Sequence, residues 1–243
     1  MSVVIHIASA RGGAGATTCA YFLGCALSDE GERTLFIDGD CECADGLCVS
    51  GMNGLNVYTL ADAEKGACRA RQAILPHREK LNLFILPTLG CSNGEFVSAC
   101  VKREGALFDY VLCDNCAEGA CDKAIVVTEP YPSSIKAADK KIARLKDGGI
   151  RDIGIIVNKV NGGLIFDGEI MTPQEIASVL RCELWGIIPE DLTLPIGKIN
   201  RSTKRACALT AKYLCGKSKK LYGVVKPYTG LGGGLKRRLR KFV

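Results

Sequence analysis

The chain has 243 residues, 47% of them hydrophobic and 24% charged, with 14 cysteines and a formal net charge of +6. That length suits one α/β domain with a sizeable core, and no apolar run approaches the roughly 18 residues of a membrane-spanning helix. Nine of the 32 basic residues fall after Gly216, where there is no acid, leaving 23 basic against 26 acidic residues in the body. A mildly acidic globule with a basic end argues against a nucleic-acid surface spread over the fold.

The opening Met1-Ser2-Val3-Val4 has no basic lead and no cleavable apolar core, so the chain is expected in the cytoplasm. There its cysteines stay free thiols. The apolar run Val3–Ala8 reads as a strand and leads into Ser9–Thr18, Ser-Ala-Arg-Gly-Gly-Ala-Gly-Ala-Thr-Thr, ahead of the helical pattern from Cys19 to Leu23. A glycine loop between strand and helix points backbone N–H groups inward and adds the partial charge of a helix N-terminus, which is how a chain cradles phosphates. It can equally be a tight turn kept for packing.

Further short runs rich in Val, Ile and Leu read as buried strands: Thr34–Ile37, Leu81–Leu86, Tyr110–Cys113, Ala124–Val127, Ile153–Val157 and Leu184–Ile188. Helices lie between them. Ser133 is placed to cap one with apolar positions Ile135, Ala138, Ile142 and Leu145, ended by Gly148-Gly149. Thr172-Pro173-Gln174-Glu175 spells a capping box ahead of Ile176, Val179 and Leu180. The alternation predicts a doubly wound α/β fold, a mostly parallel sheet with helices on both faces. Ligands bind such sheets at the carboxyl ends of the strands. Arg11–Thr18, Asp38–Asp40 and Asp114 all follow predicted strands and should converge there.

Gly12, Gly13, Gly15, Thr17 and Thr18 are spaced as in Lys-Gly-Gly-x-Gly-Lys-Thr-Thr, with Arg11 and Ala16 where that pattern has lysines. The loop resembles the deviant Walker A of the MinD/ParA family of P-loop ATPases. Ile37-Asp38-Gly39-Asp40 resembles the family's Asp-x-Asp element, Val111-Leu112-Cys113-Asp114 its Walker B strand, and Ile187-Ile188-Pro189-Glu190-Asp191 a late segment of MinD proteins. These elements stand in family order over most of Met1–Ala211.

The resemblance implies ATP or ADP with Mg²⁺ as ligands. Gly12, Gly13, Ala14, Gly15, Ala16, Thr17 and Thr18 would surround the phosphates, and Asn158, Pro189 and Asp191 the base. Thr17 and Asp114 would serve the metal; Arg11, Asp38 and Asp40 the reaction. In the family the second loop lysine meets the β- and γ-phosphates. Its replacement by Ala16 removes a charge-assisted contact of about 1.5–3 kcal/mol, roughly 10- to 150-fold in affinity. The other family lysine reaches across a dimer, where Arg11 keeps a charge of different geometry. Glu118 stands where the family has a glycine near the γ-phosphate, and its charge would repel that group. Binding with hydrolysis weakened or lost is therefore expected. The alternative is a working ATPase in which Arg11 takes over the phosphate contacts, ParA-like DNA partitioning included.

Residues 1–215 are expected to form the P-loop domain, 216–234 a flexible basic linker and 235–243 an amphipathic helix. Leu235, Leu239, Phe242 and Val243 share one helical face, and Lys236, Arg237, Arg238, Arg240 and Lys241 take the rest. Such a tail reads as an anchor to an anionic membrane surface, holding the protein on the inner face of the cell membrane. By resemblance its partners are a second copy in a homodimer and division regulators of the MinC and MinE type, with placement of the division septum as the process served. Cys113, Cys116 and Cys121 cluster near Asp114. The nitrogenase iron protein, a relative of the same fold, makes an Fe–S bridge from Cys91 and Cys121 a further alternative.

Overall fold

In the computed structural model the chain builds one eight-stranded sheet in the order β3-β4-β2-β5-β1-β6-β7-β8. The structure describes residues 2–39, 45–52, 54–55, 58–91, 93–194 and 198–229. Asp40, Cys41, Cys43 and the tail from Leu235 to Val243 lie outside these, and with them the Asp40 and membrane-helix expectations.

The strands are β1 (Val3–Ser9), β2 (Thr34–Asp38), β3 (Leu75–Pro76), β4 (Leu83–Pro87), β5 (Tyr110–Asp114), β6 (Lys123–Thr128), β7 (Asp152–Val160) and β8 (Glu183–Pro189). The helices between and after them are α1 (Ala16–Asp29), α2 (Asp45–Ser50), α3 (Leu60–Glu64), α4 (Gly94–Gly105), α5 (Pro132–Asp147), α6 (Gly162–Phe166), α7 (Pro173–Leu180) and α8 (Arg201–Leu214). The pairs are parallel, apart from the two-residue β3 against β4.

Alternation along each strand sends successive side chains to opposite faces. Ile5 and Ile7 of β1 join Phe36, Leu112 and Trp185 under α1 and α8, against Leu23, Leu27 and Ala211. Ala8 and Val126 face α5 and α7 on the other side, through Ile142, Leu145, Ile176 and Leu180. Leu35, Ile37 and Val111 meet α4 there through Val97 and Val101. Helices thus cover both faces, as the apolar strands require. β1 lies between β5 and β6, so the loop it feeds opens at the carboxyl edge of the sheet's interior.

The structure corrects three local expectations and adds one strand that the sequence did not announce, β3. Leu81 is 95% exposed and precedes the strand, which begins at Leu83 after a turn from Lys80. Ser133 does not cap α5: Tyr131 holds the cap position, Pro132 starts the helix, and Ser134 Oγ accepts the Glu129 N–H at 3.0 Å. β3 has too few residues to show a period. Finally, part of the expected linker is packed on the body: Val224 is buried, and a Cβ on Gly162 of α6 would meet its carbonyl at 2.1 Å. The Thr172–Glu175 capping box forms as expected, with Thr172 N donating to Glu175 Oε2 at 2.7 Å.

Candidate functional site

Gly13 and Gly15 adopt φ of +79° and +85°, the left-handed region that a glycine enters without strain. Gly15 also has no room for a side chain. A Cβ there would lie 2.5 Å from Asn158 Nδ2, which donates to the Ala14 carbonyl at 2.8 Å and ties the loop to β7. Ser9 Oγ and Ala14 N both donate to the Arg11 carbonyl, at 2.5 and 3.1 Å. Gly15 caps α1 and no side chain caps its first turn, whose intrahelical bonding begins with Cys19 N on the Gly15 carbonyl at 2.9 Å. The preceding N–H groups have no intrahelical acceptor, and the helix end carries a partial positive charge.

A cavity of about 800 Å³ opens over this turn. Its size suits a small ligand of nucleotide dimensions. Gly12, Gly13, Gly15, Ala16, Thr17 and Thr18 line one side, Asn158 and Lys159 the end of β7, and Pro189 to Leu192 the segment after β8. Ala14 is fully buried beneath them. Asp191 accepts from Thr193 N and Oγ1 at 2.9 and 2.6 Å and from Asn200 N at 3.0 Å. Burial pushes its carboxyl up, but these donors hold it below the ordinary carboxylate range.

Asp38 and Asp114 are register partners at the ends of β2 and β5. Both are buried; Asp38 Oδ2 accepts the Leu47 N–H at 3.2 Å and so helps to seat α2. Among the described residues no group of three His, Cys, Asp or Glu side chains is arranged to hold a metal ion. Cys91 is 2% exposed, in the core cluster that holds Val97 and Val101 of α4.

Two of the charged side chains singled out by the sequence are engaged within the fold. Arg11 turns back onto its own chain, with Nη1 donating to Ser133 Oγ at 3.1 Å and Nε 3.8 Å from Glu129 Oε2. Glu118 pairs with Lys141 Nζ at 3.1 Å rather than lining the cavity, and lies 3.3 Å from His6 Nε2. His6 is buried, and its Nδ1 donates to the Cys116 carbonyl at 3.1 Å. Asn115 and Ala117, on either side of Cys116, sit at φ 50° and 56°. The buried Cys113 thiol lies within hydrogen-bond reach of Cys116 and Cys121, and these neighbours together with burial push it well up.

Lys159 and Glu129 had no motif to announce them. Register irregularities between β7 and β8 fall between Ile155 and Ile156 and between Val157 and Val160, and re-aim the strand end. Lys159 takes φ 54° there, and its Nζ donates to the Gly13 carbonyl at 2.5 Å and to Glu129 Oε1 at 2.9 Å.

The CobQ/CobB/MinD/ParA nucleotide-binding domain profile matches residues 5–198. The septum site-determining protein MinD of Thermotoga maritima is 31% identical over 206 residues, 78% of this chain and 76% of that protein. Its counterpart in Bacillus subtilis is 31% identical over 208 residues, 79% of this chain and 77% of that protein. Among solved structures, the MinC:MinD cell division complex of Aquifex aeolicus superposes with TM-score 0.83 at 27% identity, covering 90% of this chain and 98% of that one. MinD of Pyrococcus horikoshii complexed with Mg-ADP gives 0.78 at 26%, covering 90% and 100%.

Proposed function

This chain belongs to the CobQ/CobB/MinD/ParA nucleotide-binding family, on its MinD side, and from that premise we propose that its cavity binds ATP or ADP with Mg²⁺. The observation that carries this reading is the backbone cradle: two left-handed glycines, an α1 first turn without a side-chain cap, and an open cavity above both. Thr17 lines that cavity and would offer its hydroxyl to Mg²⁺, with Asp114 behind it. Asn158, Pro189 and Asp191 form the wall suited to the base.

Hydrolysis is weak or absent on this reading. Phosphoryl transfer rests on positioning and on neutralising the transferred phosphate, and a buried methyl at Ala16 supplies no charge. Arg11 is a poor substitute, because it does not line the cavity and its guanidinium turns towards Ser133 and Glu129. The protein then works as a nucleotide-dependent binding module in septum placement. It pairs with a second copy and with MinC- or MinE-type regulators, held to the inner face of the membrane by the tail from Leu235 to Phe242. The competing reading, a working ATPase, differs in one measurement.

Calorimetric titration of the full chain with Mg-ATP and Mg-ADP, followed by a single-turnover hydrolysis assay, tests both. Saturable binding with little phosphate release is expected. Release abolished by Asp38→Asn would favour the enzyme, and no heat with either nucleotide would remove the nucleotide reading.

A further inference from the structure

We propose that Lys159 supplies, from the end of β7, the phosphate-facing cation that the glycine loop lacks at Ala16. The inference rests on the reading that the cavity takes a nucleotide. Among the described residues that line the cavity, Lys159 is the only one with a basic side chain. Its ammonium reaches the loop itself, 2.5 Å from the Gly13 carbonyl. A lysine ammonium has three donors. Gly13 and Glu129 account for two, which leaves capacity for a phosphate oxygen.

The surroundings hold the charge in place. Glu129 is 8% exposed, and its carboxylate stands between Lys159 Nζ at 2.9 Å and Arg11 Nε at 3.8 Å. Two cations against one carboxylate leave a net positive charge beside the loop. The Lys159 backbone is left-handed at φ 54°, a conformation that a lysine does not choose by itself. Asn158, the residue before it, is buried and pinned to Ala14. The strand end therefore aims one residue at the loop's underside and the next at its lip. Strained positions of this kind gather at binding sites. A loop lysine and Lys159 would approach the same phosphates from different elements, so one can replace the other without moving the cradle.

The test measures Mg-ATP and Mg-ADP affinity of the full chain by calorimetry for wild type, Lys159→Met, Ala16→Lys and the double variant, with melting temperatures of the nucleotide-free proteins. Lys159→Met should weaken Mg-ATP binding about 10- to 100-fold, the range of one lost charge-assisted contact, and Mg-ADP binding less. Ala16→Lys should raise wild-type affinity and restore most of the loss in the double variant. Unchanged ATP affinity in Lys159→Met would overturn the inference while leaving the nucleotide reading intact. Equal loss of ATP and ADP binding with a lowered melting temperature and no rescue by Ala16→Lys would make Lys159 structural and also overturn it. Wild type binding neither nucleotide would take down both. Lys159→Arg, which keeps charge and stem, should retain most affinity and covers the case in which the methionine variant fails to fold.

Discussion

His6 shows how a residue without a motif can matter. It lies on β1 with no solvent, gives Nδ1–H to the Cys116 carbonyl, and presents Nε2 to Glu118. Burial holds the imidazole below its ordinary value near 6.5, although the Cys116 carbonyl and Glu118 pull the other way. The folded protein therefore keeps His6 neutral, while the unfolded chain takes up a proton as pH falls through that value. Stability from this site is present above about pH 6.5 and is lost below it. Glu118 adds to the acid side: burial raises its carboxyl, but the Lys141 ammonium leaves it below the ordinary carboxylate range overall, so its stabilisation fades further down. His6→Asn keeps a donor for the Cys116 carbonyl and removes the titration. Melting temperature followed from pH 7.5 to 5.5 should fall less steeply in this variant than in wild type, with a remaining slope from His77, whose imidazole is also lowered by burial. Identical slopes would show that His6 does not titrate with folding. The segment that His6 pins directly follows Asp114 and includes two left-handed residues: Asn115, of a type that enters that region readily, and Ala117, for which it costs about 1–2 kcal/mol.

At the scale of elements, β7 and β8 decide where the cavity's far wall stands, and Gly154 decides how closely they approach. A Cβ on Gly154 would lie 2.0 Å from Trp185 Cδ2, on an indole that is 4% exposed and fixed by Nε1–H donation to Glu183 Oε2 at 3.0 Å. Gly154→Ala should cost about 1–3 kcal/mol by overpacking, a drop of several degrees in melting temperature by circular dichroism. A variant that melts with wild type would mean that the indole swings away without penalty. This contact was not legible beforehand, because nothing local to Gly154 points to a tryptophan some thirty positions on. Strand and helix identities were legible where the signal is local: apolar runs for the parallel strands, Thr172-Pro173-Gln174-Glu175 for the start of α7. The glycine loop was legible because its backbone demands are written in residue type, Gly13 and Gly15 above all. Arg11 and Lys159 were not, because side-chain reach depends on Glu129 and Ser133, which only the fold brings near. Ser133 misled for a related reason: a proline at the first helical position made Tyr131 the cap.

On the scale of the whole molecule, charge is divided between a slightly acidic body and a basic end, and the fold fixes where that end departs. Lys217 Nζ bonds Glu32 Oε1 at 3.2 Å, Val224 is buried, and Tyr222, Val224 and Tyr228 line a groove with Pro189, Glu190 and Leu192. Those last three residues also line the main cavity. The chain therefore runs past the wall of the main cavity as far as Tyr228. Each basic residue near an anionic leaflet contributes about 1 kcal/mol. On the anchor reading proposed above, the five from Lys236 to Lys241 would hold one copy weakly, and a dimer, with two tails on one surface, far more tightly. Ending the chain after Thr229 leaves the packed segment in place and removes only the tail. That protein should bind nucleotide as the full chain does and lose flotation with vesicles of anionic phospholipid, while the full chain floats at low salt and progressively less as salt screens the attraction. Flotation of the shortened protein would put the membrane contact on the body, and a full chain that stays in solution with anionic vesicles at low salt would end the anchor reading altogether.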